Sequence, residues 1–200
     1  MRASRGRILV VAAVDAELGD LPGAALGVGV VRAAATMGRL LALIAHRSAY
    51  EGVLLVGSCG VYGDAFSVGT AVRARRMGLA DGGAALGLSY APLAPEPVVA
   101  DAALSRLLDT APADVLTVGA ISTDPALVAK VGAGWQVEHL ECFGAAWACA
   151  QAGVPFAAVL GVANRVGPDA HAEWKANRLA AEEAARAVVR GALGGLADGL

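Results

Sequence analysis

The chain has 200 residues, of which 56% are hydrophobic and 17% are charged, whereas globular domains typically contain about 45–50% and about 25%. This length and composition predict one folded domain over residues 1–200 and exclude disorder as the main state. Sixteen Lys and Arg residues against eighteen Asp and Glu residues give a net charge of −2. Without an excess of positive charge the chain is a poor partner for a phosphate backbone, so nucleic-acid binding is not expected.

The cysteines favour neither a disulfide scaffold nor a zinc finger. The chain contains three of them, Cys59, Cys142 and Cys149, and no CxxC pair. An odd number without such a pair is typical of a protein that keeps its thiols reduced, and a cytoplasmic setting is therefore expected.

The N-terminal segment imitates a secretory signal peptide, because residues 1–7 contain three arginines and precede the apolar residues 8–14. The apolar run is at the lower limit of length, however, and Asp15 and Glu17 follow it at once. We therefore interpret residues 8–14 as a buried first strand. No run approaches the roughly 18 apolar residues of a membrane span, so no membrane partner is expected.

Short runs rich in β-branched residues alternate with longer stretches of helical periodicity. The runs predict strands at residues 8–14, 52–57, 68–76, 114–121 and 155–162. The longer stretches predict helices at residues 31–45, 99–108, 140–152 and 170–193, with a further short helix opened by Asp124 and Pro125. Residues 82–97, rich in Gly, Ala and Pro, predict a loop. This alternation favours an α/β fold of three layers, in which a mostly parallel sheet is covered by helices on both faces.

Polar or glycine-rich residues follow four of the predicted strands. They are Asp15 and Glu17, residues 57–60, residues 122–124, and Asn164 with Arg165. Ligands of open α/β sheets bind at the carboxyl ends of the strands, so these residues are the candidates for a site. Each cluster alone is equally typical of an ordinary turn or helix cap.

Five segments in order along the chain carry a more specific resemblance. They are residues 12–17 (AAVDAE), 27–34 (GVGVVRAA), 56–60 (VGSCG), 137–144 (VEHLECFG) and 161–168 (GVANRVGP), with Trp174 beyond the last. Together they resemble the nucleoside phosphorylase/hydrolase superfamily over nearly the whole chain. The last segment is most similar to that of the futalosine hydrolases within it.

The resemblance implies a nucleoside phosphorylase-like fold and cleavage of the N-glycosidic bond of a purine nucleoside. It implies that Glu17 orients the attacking water, with Asp15 as a helix cap, and that Glu141 accepts hydrogen bonds from the ribose hydroxyls. It further implies that Leu140 packs against the sugar, at a position where the family usually has methionine. A homo-oligomer, commonly a dimer, is implied as the partner, and neither a cofactor nor a metal is.

By the same resemblance, Asn164 stands where the family recognises the base. An aspartate at this place suits a 6-amino purine, whereas a neutral amide can donate to N7 or O6 of a 6-oxopurine. The resemblance therefore implies release of hypoxanthine, as in the futalosine step of menaquinone biosynthesis. A nucleosidase of the methylthioadenosine/S-adenosylhomocysteine type remains an alternative.

The loop that contains Ser58, Cys59 and Gly60 could hold water or phosphate through its amides and hydroxyl. Bacterial purine nucleoside phosphorylases have the same residues, preceded by a phosphate-binding arginine where this chain has Leu55. That departure favours water over phosphate as the nucleophile, with the phosphorylase as an alternative. We expect Cys59 to be a small buried hydrophobe rather than a nucleophile.

A second departure affects the base, because the family usually has an arginine where this chain has Leu160. Its loss leaves open a non-catalytic protein that binds nucleosides on the same fold. The candidate residues also have structural explanations: Glu17 and Glu141 as acids in first helical turns, and Ser58 and Asn164 as turn residues.

Other polar and aromatic residues are expected outside the catalytic set. Glu138 is expected to be a cap or a secondary support. Phe143 and Trp147, spaced i and i+4, are expected in the core. His139 and His171 can titrate near neutrality, but nothing in the sequence places either in the pocket. His46 is expected on a helix face.

Overall fold

In a computed structural model that describes residues 7–45 and 50–197, the alternating pattern folds into strands and helices. Three of these strands and two of these helices, one of them within the predicted loop 82–97, are additional to the predicted elements. The strands are β1 (Arg7–Ala12), β2 (Gly23–Ala25), β3 (Tyr50–Val61), β4 (Ala71–Ala80), β5 (Val98–Val99), β6 (Ala111–Val118), β7 (Val137–His139) and β8 (Phe156–Arg165). The helices are α1 (Asp15–Leu18), α2 (Val30–Ala45), α3 (Gly82–Ala85), α4 (Ala102–Arg106), α5 (Pro125–Val131), α6 (Cys142–Gln151) and α7 (Ala170–Ala197).

All eight of these strands belong to one mixed sheet. Its hydrogen-bonded order is β2-β1-β3-β7-β6-β4-β5, and β8 pairs with both β3 and β4. The pairs β1–β2, β1–β3, β3–β8, β4–β6 and β6–β7 are parallel, whereas β3–β7, β4–β5 and β4–β8 are antiparallel. Strands β3, β7, β6, β4 and β8 thus close into a ring, and the sheet is less open than the sequence pattern predicts.

Helices cover both faces of the sheet, which confirms the predicted three-layer α/β fold. On β1, Leu9 and Val11 face the core shared with α2 and α6, while Val10 and Ala12 face the core shared with α7. Successive residues of a strand point to opposite faces, so a strand buried on both sides reads as a continuous apolar run.

Several predicted boundaries differ from the structure. The second predicted strand does not end at Gly57 but continues as β3 through Ser58, Cys59 and Gly60. Its parallel register with β8 keeps the backbone extended as far as Val61, with an irregularity between Cys59 and Gly60. The supposed glycine-rich loop is therefore part of a strand.

Two predicted helices also differ from the structure: one contains a short strand, and the other begins later than predicted. Residues 99–108 divide into β5 and the shorter α4, because Asp101 accepts hydrogen bonds from the backbone N–H groups of Ala103 and Leu104 and starts the helix there. The helix predicted from Leu140 begins at Cys142. The short helix after Asp124 is confirmed, since Asp124 accepts from the N–H of Leu127.

The predictions for His46 and for residues 1–6 of the N-terminal segment fall outside the described residues. Within the described ranges, no helix combines the length and the apolar character that crossing a bilayer requires.

The approach of α7 to β8 yields a prediction about stability. A Cβ on Gly161 would collide with the backbone carbonyl of Ala181 on α7, so Gly161→Ala must push helix and sheet apart and should destabilise the fold by about 3 kcal/mol. The matched control, Gly191→Ala, adds the same methyl on the exposed side of α7, where nothing lies within 4 Å. It should stabilise the fold by about 0.5–1 kcal/mol through helix propensity. Chemical denaturation measures both, and equal effects would contradict the packing argument.

Candidate active site

A cavity of about 340 Å³ lies beside the carboxyl ends of β1, β3 and β8. The residues predicted from the sequence all line it: Glu17, Ser58, Cys59, Gly60, Leu140, Glu141 and Asn164. Four further residues with polar side-chain atoms line it as well: Glu138, His139, His171 and Trp174. The rest of the lining is apolar, from Ala13, Val14, Val28, Ile121 and Ala170.

Glu17 lies on α1, the single turn of helix that follows β1. Its Oε2 accepts a hydrogen bond from the N–H of Ala13 at 3.1 Å. Its Oε1 accepts from the N–H of Ser58 at 3.2 Å and from the Ser58 hydroxyl at 3.3 Å. The carboxylate is thus fixed by the ends of two neighbouring strands.

Burial raises the pKa of Glu17 from the usual 4.5 to about 7. Removal from water disfavours the charged form and is the largest cause, and the nearby charges of Glu141 and Glu182 act in the same direction. The N–H groups of Ser58 and Ala13 oppose the shift only in part. A carboxyl group that exchanges its proton near neutral pH is suited to general acid–base chemistry.

Arg186 on α7 binds the backbone of α1 and does not line the cavity. Its Nη1 donates to the backbone oxygen of Glu17 at 3.1 Å and lies 3.7 Å from a carboxylate oxygen of Glu182. Glu182 is only 2% exposed and also faces Arg178 at 3.6 Å. Asp15 is the first residue of α1 and not its cap, because the N-cap is Val14 and no side chain caps that end. At the other end of α1, Arg186 satisfies the carbonyl oxygens of Ala16 and Glu17.

Ser58 connects the Glu17 carboxylate to α7. The indole Nε1–H of Trp174 donates to the Ser58 hydroxyl oxygen at 3.2 Å, and that hydroxyl in turn donates to Glu17. Trp174 also forms one wall of the cavity. The sequence pointed to Trp174 only as part of a motif, and its bond to Ser58 depends on how α7 lies across the sheet.

Glu141 is buried at the start of α6, facing the start of α2. Its Oε1 accepts from the N–H of Gly29 at 2.8 Å. Gly29 has φ +93°, a conformation that favours glycine and turns this N–H toward the carboxylate. The N-terminal end of α2 also carries the positive end of the helix dipole, which stabilises a negative charge there.

Asn164 faces the cavity from β8. Its Nδ2 donates to the backbone oxygen of Arg165 at 2.8 Å, which fixes the orientation of the amide. One N–H of Nδ2 and the oxygen Oδ1 remain for a ligand. A Cβ on Gly60 would lie 2.9 Å from Nδ2, so the absence of a side chain at Gly60 makes room for the amide.

Glu138 is bound on both carboxylate oxygens. Oε2 accepts from the Tyr62 hydroxyl at 2.7 Å, and Oε1 accepts from the N–H of Ser122 at 3.0 Å. These bonds tie the loop after β6 to β3. They agree with the supporting role expected for Glu138, although it also lines the cavity.

The structure brings His139 and His171 to the cavity, although nothing in the sequence places either of them there. His171 is exposed at the cavity wall and stacks on Trp174, with ring centroids 6.0 Å apart. His139 is buried and belongs to the lining as well. Its place results from the antiparallel pairing of β7 with β3, which the alternation of apolar runs does not reveal.

The aromatic pair of α6 is only partly in the core. Phe143 is buried, but Trp147, stacked on it at 5.6 Å, is 40% exposed. The side of α6 that carries both rings extends beyond the core, so Trp147 is not buried as expected.

Charge and thiol chemistry in the cavity are limited. Among the described residues, those that line the cavity include no lysine and no arginine. Leu55 and Leu160 are both fully buried in the core shared with α2 and α6. Burial also raises the pKa of the Cys59 thiol well above its usual range, as expected for a small buried hydrophobe.

Nor does a metal centre emerge in residues 7–45 and 50–197, where no three His, Cys, Asp or Glu side chains are grouped so that they could hold an ion.

Comparison with solved structures places this fold among nucleosidases. The 5′-methylthioadenosine/S-adenosylhomocysteine nucleosidase of Colwellia psychrerythraea 34H, in complex with adenine, matches with a TM-score of 0.81 at 17% identity over 96% of each chain. The corresponding enzyme of Neisseria meningitidis, in complex with methylthio-immucillin-A, matches with a TM-score of 0.77 at 17% identity over 93% of this chain and 97% of the other. Futalosine hydrolase of Helicobacter pylori strain 26695 matches with a TM-score of 0.79 at 12% identity, over 94% and 97%.

The chain therefore has the same fold as these nucleosidases and this futalosine hydrolase, in agreement with the fold that the sequence motifs imply. Within that fold, both the methylthioadenosine/S-adenosylhomocysteine nucleosidases and a futalosine hydrolase are structural neighbours. No family model and no curated protein matches the sequence.

The raised pKa of Glu17 yields a prediction about stability against pH. Between pH 4.5 and 7 the folded chain holds a proton on Glu17 that the unfolded chain has released, so the free energy of unfolding falls as the pH rises through this window. From pH 5 to 8, wild type should lose roughly 2 kcal/mol more than Glu17→Gln, which cannot titrate. Denaturation at a series of pH values measures the difference.

The control for this prediction is Asp15→Asn, which neutralises an exposed carboxylate of the same short helix. It should follow the wild-type pH dependence. If the free energy of unfolding of Glu17→Gln also has the wild-type pH dependence, the carboxyl of Glu17 has its ordinary pKa and is not removed from water.

Proposed function

We propose that this protein is a purine nucleosidase that hydrolyses the N-glycosidic bond of a 6-oxopurine nucleoside. The observation that carries the proposal is the pairing of two buried carboxylates, Glu17 and Glu141, in one cavity with the amide of Asn164. The fold, shared with nucleosidases, is consistent with it.

Glu17 is the residue that we assign to the water. Its carboxylate accepts a proton from water as the water oxygen bonds to the anomeric carbon, and the carbon–nitrogen bond breaks with its electron pair leaving on the purine. The purine takes up one proton, so the sum of the reaction is the consumption of one water. A pKa of about 7 lets Glu17 act as a base at neutral pH.

Glu141 is the residue that we assign to the ribosyl group. Glycosidic bonds break through a transition state in which the sugar resembles an oxocarbenium ion. A carboxylate that accepts hydrogen bonds from the sugar hydroxyls stabilises this positive charge more than it stabilises the neutral ground state. The N–H of Gly29 holds Glu141 in place for this role.

Water is favoured over phosphate as the nucleophile by the charges of the cavity. Three carboxylates line it, from Glu17, Glu138 and Glu141, and none of its described lining residues is a lysine or an arginine. A phosphate dianion would enter such a cavity against like charges and without a cation to bind it. Leu55, buried in the core, leaves the end of β3 without the arginine of the phosphorylases.

The base that leaves is proposed to be hypoxanthine, as for futalosine in menaquinone biosynthesis. A hypoxanthine protonated at N7 presents an N–H donor beside the acceptor O6. The Oδ1 and the remaining N–H of Asn164 complement this pair. The bond from Nδ2 to the Arg165 oxygen keeps the amide in one orientation.

A second candidate is a nucleosidase that acts on adenine nucleosides, as the neighbours named for methylthioadenosine and S-adenosylhomocysteine do. The favouring observation is again the amide, because the remaining N–H of Asn164 could donate to N7 while its free Oδ1 accepts from a 6-amino group. The two candidates differ only in the base, so one pair of matched substrates separates them.

We further propose that the protein acts in the cytoplasm as a homodimer or higher homo-oligomer. Support comes from apolar side chains left exposed near the start of α2: Val28, which lines the cavity, is 52% exposed, and Val31 is 78% exposed. A second copy that covers them would also narrow the cavity mouth.

The proposed reaction predicts the outcome of an assay with a panel of purine nucleosides. Free base should be released, the sugar product should carry a free 1-hydroxyl, and added phosphate should not accelerate the reaction. Glu17→Gln should lower kcat by at least about a hundredfold, since a positioned acid–base group is lost. Asp15→Asn, on the same helix but outside the cavity lining, should leave kcat unchanged.

Different results of this assay support different functions. A ribose 1-phosphate product would establish a phosphorylase instead. Nucleoside binding without release of base would establish the non-catalytic alternative. Activity of Glu17→Gln within a few-fold of wild type would remove Glu17 from the mechanism.

The proposed base predicts the effect of changing Asn164. A mismatched polar group in a closed pocket costs about 1–3 kcal/mol, or about 5- to 150-fold in kcat/KM. Hypoxanthine nucleosides with a bulky 5′ substituent should therefore be preferred over the matching adenine nucleosides by such a factor. Asn164→Asp should narrow or invert the preference, because a carboxylate accepts from the 6-amino group. The measurement is kcat/KM for one matched pair of nucleosides on both proteins.

Asn177→Asp is the matched control, because Asn177 makes the same kind of bond from Nδ2 to backbone oxygens but does not line the cavity. It should leave the ratio unchanged. An adenine preference in wild type, or an unchanged ratio in Asn164→Asp, would show that Asn164 does not select a 6-oxopurine.

A further inference from the structure

His139 is a buried polar residue that the proposed reaction does not yet use. It lies at the end of β7, immediately before the start of α6, and its side chain is 3% exposed. It lines the same cavity as Glu17 and Glu141.

The backbone around His139 fixes its tautomer. Nδ1 lies 3.1 Å from the backbone nitrogen of Glu141 and 3.0 Å from that of Cys142, and both N–H groups donate to it. Nδ1 must therefore offer a lone pair, and the ring hydrogen is on Nε2.

A charged ring is disfavoured at this place. A carboxylate oxygen of Glu141 lies 3.3 Å from Nδ1, which would favour a proton there. That proton would break both backbone hydrogen bonds, however, and burial, the larger influence, lowers the pKa of His139. The ring is thus a neutral donor through Nε2.

The Nε2 atom of His139 lies near Gly57 and near the carboxylate of Glu17. No hydrogen bond among the described residues uses Nε2 of His139. Every side-chain nitrogen or oxygen in the described residues that is fully buried has a hydrogen-bond partner. Nε2 is therefore not fully buried and is open to the cavity. A Cβ on Gly57 would lie 3.3 Å from Nε2 and 3.2 Å from Oε1 of Glu17. Nε2 of His139 and Oε1 of Glu17 thus approach the same side of Gly57, where a side chain would crowd both atoms.

We propose that the Nε2–H of His139 donates a hydrogen bond to the water that Glu17 deprotonates and holds it between the two side chains. This inference rests on the proposed nucleosidase function. Glu17 accepts one hydrogen of the water, and His139 occupies one lone pair of its oxygen. The second lone pair then points to the anomeric carbon. His139 itself exchanges no proton in this step.

Two substitutions separate the donor of His139 from its contact with the backbone. In His139→Asn the Oδ1 can replace Nδ1 as the acceptor for α6, but no donor reaches the position of Nε2. In His139→Gln the Nε2 can reach that position, but the acceptor near α6 is lost. The first variant thus keeps the structural role alone and the second keeps the donor alone.

The expected result is that His139→Asn lowers kcat about a hundredfold, the scale for a misplaced reactant, with little change in KM or melting temperature. His139→Gln should melt at a lower temperature and have a kcat closer to wild type. Gly57→Ala, whose methyl would crowd both Nε2 of His139 and Oε1 of Glu17, should lower kcat without removing any polar group. Wild-type kcat in His139→Asn or in Gly57→Ala, or equal losses of kcat in both His139 variants, would overturn the proposal.

A spectroscopic measurement distinguishes failure of this inference from failure of the proposed function. The chain has three histidines, so the ring signals of His139 in a nitrogen–proton correlation spectrum are identified by their loss in His139→Asn. They should report a neutral Nε2–H ring. The Nε2–H signal should shift when formycin B, an inosine analogue with an uncleavable carbon–carbon bond to its base, is added. A hydrogen on Nδ1, or a signal that formycin B leaves unchanged, would overturn the role of His139 even if wild type releases base. The expected signals in a wild type without turnover would support His139 as a donor into the cavity and count only against the proposed hydrolysis.

Discussion

A buried carboxylate, that of Glu17, is the constraint on which the arrangement of this molecule depends. Its burial is unfavourable unless hydrogen-bond donors compensate it, and the donors come from the end of β1, the end of β3 and, through Ser58 and Trp174, from α7. Arg186 binds the backbone of the same residue from the other side. Elements far apart in sequence must therefore meet within hydrogen-bond distance at one point, which fixes the register of β1 on β3 and the position of α7.

The pairing of β8 and β7 with β3 places further residues of the cavity, because strand register fixes which residues lie side by side. β8 pairs with β3 along its length, and this register places Asn164 beside Gly60. β7 pairs with β3 in the opposite direction, which places Glu138 beside Gly60 as well. The glycines of β3 thus leave room for polar side chains of the neighbouring strands β7 and β8. The positions of these glycines determine where the cavity lies.

How much of this could be predicted from the sequence depends on how local the causes are. Glu17 and Asn164 could be found because each follows an apolar run near its end, and Asp124 because it caps a helix in its own turn. The layers of the fold could be found for the same reason. The place of His139 could not, because it results from a strand of three residues whose pairing is set by distant parts of the chain. The extension of β3 through Ser58 could not be predicted either. Glycines in this segment suggest a loop, and only the pairing with β8 shows that the backbone is extended.

The absence of a cation among the lining residues has a consequence for energetics. By resemblance, bacterial purine nucleoside phosphorylases have an arginine where this chain has Leu55, and the family usually has one where this chain has Leu160. Both leucines lie in the core. Among the described residues, none that lines the cavity is a lysine or an arginine that would offset the removal of Glu17 from water. This removal is the largest cause of the raised pKa of Glu17. In the reaction that we propose, the carboxylates of Glu17 and Glu141 gain an oppositely charged partner only when positive charge develops within the cavity. A neutral nucleoside brings none, whereas its ribosyl group gains positive charge as the bond to the base breaks. Under the proposed function, such a site interacts more strongly with the transition state than with the substrate, which is the requirement for catalysis.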